Sequence, residues 1–115
     1  MREKTLRTYG KIDMRTLPDL INDVAKCHDV DPRDLTGRRR FKEITQARHI
    51  TMWIMRKRMK MSYGRIGIVF GRSHATIIHA VKSIDNRLSY DKKFKEFFEG
   101  TLDICITKMH IKYFS

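Results

Sequence analysis

Apolar residues recur at helical spacing along most of this 115-residue chain. In "TLPDLINDVAKCH", Leu17, Leu20, Ile21, Val24 and His28 fall on one face. Thr16 and Asp19 have the spacing of a capping box, and Pro18 suits a first turn. "DPRDL" reads as a single helical turn capped by Asp31, with Pro32 at its first position. A long helix is predicted from Glu43 to about Lys60, with Ile44, Ala47, Ile50 and Ile54 on one face and Arg48, Arg56 and Lys60 mostly off it. Ser62 can cap a short helix through Val69. A tight turn at Phe70 to Ser73 leads into a helix from His74 to about Leu88, whose stripe is Ile77, Val81, Ile84 and Leu88. A last helix, Asp91 to about Lys112, carries Phe94, Phe97, Phe98, Leu102 and Cys105. No segment alternates as a strand would and no repeat occurs. The predicted fold is all-α: a partly ordered arm over residues 1–15, then one multi-helix domain over residues 16–115.

The pair of helices over residues 62–88 carries the most information. A short helix, a tight turn containing Gly71 and a second helix polar on its outer face make a helix-turn-helix. The second helix opens with Arg72, Ser73, His74 and Thr76, hydrogen-bonding groups where a packed helix would carry apolar ones. Free N–H groups and the helix dipole at such an end favour an anion. A DNA major groove is wide enough to admit the helix, and side chains on its leading turns reach base edges.

Charge placement strengthens that reading. The net charge is +12, and between Leu35 and Ile84 twelve Lys or Arg stand against the single acid Glu43. That stretch holds +11 of the total, leaving the flanks nearly neutral. A solvated surface usually mixes both signs, so a one-sign centre is the footprint of a polyanion. Within it, Gly37 and "GRRRFK" form a basic loop.

Other function classes are disfavoured. Hydrophobic residues at 41% suffice for one packed core, which argues against wholesale disorder. No run of 18 apolar residues would span a membrane, and no apolar core follows the charged N-terminus as in a signal peptide. Cys27 and Cys105 are far apart and read as reduced thiols of a cytoplasmic protein. His74 and His79, five apart, point to different sides of a helix, and Cys27-His28 has no second pair at zinc spacing, so no metal is expected. Trp53 and the methionines near it read as core filler. The acids of the flanks read as solvated charge, and with no Ser-His-acid or paired-carboxylate arrangement an enzyme is not expected.

From about Leu17 to Phe98 the chain resembles the C-terminal DNA-binding domain of the bacterial replication initiator DnaA, a relative of the Trp-repressor fold. "VAKCHDVDPRDLTGRRR", "ARHITMWI" and "IGIVFGRSHATIIHA" carry the resemblance, the last being close to the family signature. The resemblance implies binding of double-stranded DNA in replication initiation or its regulation. It places Arg40, within the loop run Arg38, Arg39 and Arg40, at a minor groove. Lys42, Arg48 and His49 match positions on the DNA backbone or at its edge. Ser73, His74, Ala75 and Thr76 match the major-groove readers, with Arg72 and Lys82 as basic positions beside them. Where the family usually has Asp-His-Thr-Thr, this chain has Ser73-His74-Ala75-Thr76. The carboxylate suited to a cytosine amino group is thus replaced, and Ala75 keeps only a methyl for thymine.

Initiators of the family carry an ATPase domain ahead of this one. Here no G-x-x-x-x-G-K-[ST] loop occurs, and the 16 residues before the first helix hold no nucleotide fold. The expectation is a chain that needs no cofactor, binds no nucleotide and does not melt an origin by itself. A small transcriptional regulator is one alternative. A second is an interaction protein that docks a partner or a second copy through Ile104, Ile106, Met109 and Ile111 of its C-terminal helix. RNA binding ranks third, for want of an aromatic platform on a sheet.

Overall fold

The computed structural model describes residues 16–102. The expectations for the arm and for the last helix beyond Leu102, Cys105 included, lie outside the described residues. Within them the chain is all-α, with six helices and no strand.

Helix α1, Thr16–His28, buries Leu17, Leu20, Val24 and Ala25. Helix α2, Pro32–Leu35, is one turn, and the Asp31 carboxylate accepts from the Arg33 N–H at 2.9 Å as its cap. Leu35 is its core anchor. Helix α3, Lys42–Lys57, is the central element and packs against α1, α2 and the two helices that follow. Its inner face is Ile44, Ala47, Ile50, Thr51, Ile54 and Met55. The expected extension to Lys60 does not form. After Lys57 the backbone passes through Lys60 at φ +60, so that Met59 and Met61 both enter the core.

Helix α4, Tyr63–Phe70, is capped by Ser62, whose hydroxyl accepts from the Arg65 N–H at 3.2 Å. Helix α5, His74–Tyr90, crosses both α3 and α4. Ile77, Val81 and Ile84 are buried as the periodicity requires, joined by Ala80, while Leu88 is only partly covered. The Asp91 carboxylate accepts from the Phe94 N–H at 3.0 Å, and helix α6 runs from residue 92 to 102. Phe94, Phe98 and Leu102 close the core, whereas Phe97 is 43% exposed and meets the His28 ring edge-on.

Two polar contacts lock α3 to α5. The half-buried Trp53 indole donates to Asp85 at 2.7 Å, and Arg87 donates to Gln46 at 2.9 Å. Asp85 also pairs with Lys57 at 3.2 Å, so this flanking acid is engaged by two partners rather than merely solvated. Among the described residues no helix is long and apolar enough to cross a membrane.

Candidate nucleic-acid interface

The turn between α4 and α5 sets the geometry. Gly71 adopts φ +65, a left-handed conformation that costs a residue with a Cβ but not glycine, and its N–H closes α4 onto Gly67 and Ile68. Gly67 is constrained differently. A Cβ there would sit 2.5 Å from the Arg72 carbonyl oxygen, so only a bare Cα lets the turn fold back over α4. Ser73 then caps α5, its hydroxyl accepting from the Thr76 N–H at 3.4 Å and lying 3.1 Å from the Thr76 hydroxyl. Ser73, His74, Ala75 and Thr76 are all exposed, and the first turn of α5 carries no acid.

The basic loop runs beside this helix end. Arg38, Arg39 and Arg40 are exposed, Arg39 leaning 3.8 Å from the Asp34 carboxylate. Arg38, Arg40, Arg72 and Thr76 line one cleft of about 620 Å³ at the junction of loop, turn and α5. Arg40, Lys42 and His49 line a second, of about 310 Å³, closed on its other side by Ser83 and Arg87. Arg40 thus faces both. Lys82 is exposed further along α5 and lines neither.

Arg48 departs from the expectation that it lies on the DNA backbone. It is 4% exposed, and its guanidinium points inward onto three carbonyl oxygens. Nε donates to Leu35 at 2.8 Å, and Nη2 to Asp34 at 2.8 Å and Arg39 at 2.9 Å. The helical wheel places this residue between the apolar stripe and the solvent face, and the loop folds over it. Arg72 is half-way to the same role, with Nη1 on the Phe70 carbonyl and Nη2 on the Gly37 carbonyl, both at 2.7 Å.

The concentration of charge acts on its neighbours. Burial, and then the nearby Arg72, lower the Arg48 pKa. His49 is held below 6.5 by burial first and by Arg48 and Arg72 next, which favours its neutral ring. Among the described residues no three His, Cys, Asp or Glu side chains gather as metal ligands would.

Two residues escaped the sequence reading. Ile68 is 82% exposed and lines the larger cleft among the arginines, and Phe41, beside Arg40, is 63% exposed. Ile68 could have been found, because it lies two residues from both Ile66 and Phe70 and so cannot share their buried stripe.

Comparison with known proteins decides the family. A sequence profile described as bacterial DnaA protein helix-turn-helix matches residues 18–84, more than half of the chain and the whole of both clefts apart from Arg87. The chain belongs to that family. The chromosomal replication initiator protein DnaA of Levilactobacillus brevis is 35% identical over 101 residues, covering 87% of this chain and 22% of that protein. Chromosomal replication initiator protein DnaA 2 of Chlamydia caviae is 33% identical over 92 residues, 80% of this chain and 18% of that protein. The Tropheryma whipplei DnaA is 34% identical over 84 residues, 72% and 18% respectively. The chain therefore spans about a fifth of the length of these DnaA relatives.

Proposed function

We propose that this chain is a DNA-binding module that reads double-stranded DNA, acting in replication initiation or its regulation. The observation that carries the reading is the shared cleft. The exposed polar start of α5 and the exposed arginines of the loop border one space, with no acid among its lining residues. In this reading the first turn of α5 enters a major groove, where His74 and Thr76 present hydrogen-bonding groups to base edges and Ala75 a methyl. Ser73 spends its hydroxyl on the cap and on Thr76, so it contributes chiefly by orienting that turn. Arg40 reaches an adjacent minor groove, best where A·T-rich sequence narrows it and deepens its negative potential. Arg38, Lys42 and Lys82 neutralise phosphates, Arg72 holds the loop beside them, and Arg39 and His49 sit at the edge of the contact.

Duplexes selected from a random library, titrated against a scrambled duplex, test this. His74→Ala and Thr76→Ala should each cost about 1–3 kcal/mol on the selected site and little on the scrambled one. Lys42→Ala should weaken both about equally and shallow the salt slope by about one unit. With roughly five to seven phosphates neutralised, log K should fall against log salt with a slope of about −4.5 to −6. A slope near zero, or the same loss on both duplexes for the α5 variants, would refute the assignment of this face.

A further inference from the structure

The loop that presents Arg38, Arg39 and Arg40 has little to hold it locally. Phe41, where the loop meets α3, offers no side-chain cap. Among the described residues its one ion pair, Arg39 with Asp34, is long and only partly buried. Yet the carbonyl oxygens of Leu35, Gly37 and Arg39 are engaged by two arginines from elsewhere in the chain, one of which also reaches the Asp34 carbonyl beside the local Gly37 N–H bond at 3.2 Å. With its carbonyls turned inward onto guanidinium groups, the segment is left with its own arginines turned outward.

We propose that Arg48 and Arg72 form a two-arginine clamp that fixes the basic loop against the start of α5, so that the loop and the recognition helix are presented as one preformed surface. The proposal deepens, and rests on, the DNA-binding reading above: both are positioning residues, and Arg48 acts through the loop rather than on a phosphate. Arg72 makes the link itself, since it stands in the turn before α5 with one guanidinium nitrogen on Phe70 at the end of α4 and the other on Gly37 in the loop. Arg48 supplies the anchor, joining the loop's two ends (Asp34 and Leu35 on one side, Arg39 on the other) to the buried face of α3.

The chemistry needs guanidinium. A planar fork sends several N–H donors in fixed directions and so reaches carbonyls that diverge; an ammonium carries the same charge on a single flexible point. Holding these cations beside Arg38 and Arg40 costs repulsion, which the carbonyl dipoles and Asp34 offset. A loop held in this way loses little conformational freedom when it meets its target, which is how preorganisation raises affinity.

Charge-preserving variants separate a clamp from a phosphate contact. Arg48→Lys, checked for intact helical circular dichroism, should lower affinity for the selected duplex by about fivefold or more, and Arg40→Ala added to it should cost less than about twofold further. In the parent protein Arg40→Ala should cost considerably more, because there the loop is held where Arg40 can act. Arg72→Lys should show the same non-additivity, and it decides the matter should Arg48→Lys fail to fold. A second readout needs no DNA. Backbone amide resonances of residues 36–41 should be single and sharp in the parent protein and broadened or multiplied in both lysine variants. Binding within about twofold of the parent, losses that simply multiply with that of Arg40→Ala, or unchanged loop resonances would each overturn the clamp. Should the parent protein bind no duplex at all, the DNA reading fails separately, and the loop resonances alone decide whether the clamp exists.

Discussion

The two halves of the candidate interface are built on opposite plans. The start of α5 supports itself: Ser62 and Ser73 cap the two helices, Gly71 turns the chain between them, and Ile77 and Val81 seat the helix in the core. Every one of those contacts is local or lies on the regular period of a helix. The basic loop is held from outside, by side chains that arrive from 9 to 35 residues away. One half is rigid because of what it is, the other because of where it lies. Reading a sequence along its length finds the first kind and misses the second.

The comparison can be broken first at the self-supporting half. Gly67→Ala places a Cβ against backbone, which cannot swing aside as a side-chain tip would. It should cost about 3 kcal/mol, read as a lowered midpoint in urea. Gly71→Ala meets open space and is penalised only by its left-handed φ, so about 1 kcal/mol is expected by the same measurement. An inverted order of the two would mean that the turn's close approach is not what fixes it.

Acid sharpens the contrast next. His49, flanked by the arginines that hold the loop, and His28, under Phe97, both have folded pKa values lowered from 6.5, in each case chiefly by burial. The unfolded chain therefore binds protons that the native state refuses. Stability should be fully present above pH 6.5 and fall as the pH drops through that value towards the lowered folded values. Melting temperatures of His49→Gln and His28→Gln between pH 7.5 and 5.5 divide the loss between loop support and helix packing. A parent melting temperature that rises on acidification would contradict both assignments. The smallest effect belongs to Arg39→Ala. Its long, partly solvated pair with Asp34 should be worth less than about 0.5 kcal/mol, whereas a loop dependent on that ion pair would lose more.

How much was legible follows the same division. Asp31 with Pro32, Ser62, and the stripe Ile77, Val81 and Ile84 stand where capping chemistry and the 3.6-residue period put them. Arg48 does not, because period and charge together assign a cation beside an apolar stripe to solvent. Its partners are carbonyl oxygens, which every residue owns and no letter of the sequence marks. The end of α3 is hidden from the sequence for a related reason. Neither Gly nor Pro stops it at Lys57, and the stop comes from the core's demand for Met59 and Met61, which Lys60 satisfies in a left-handed conformation. Ile68 is exposed by the period, yet the apolar residues around it disguise a surface position as part of the core.

The indole of Trp53 gives the molecule a built-in optical probe. It is the one tryptophan of the chain; it sits on α3, donates to a carboxylate on α5 and meets the Phe98 ring of α6 edge-on at 4.9 Å. Its emission colour and quenching therefore report on the joint of three helices from a single fluorophore, without a label. If that joint and the helices come apart as one cooperative unit, fluorescence and far-ultraviolet dichroism will trace the same unfolding curve. A helix that leaves early will separate the two curves, and the direction of the separation will name it: light lost before helicity means that α5 or α6 has swung off α3 while still coiled.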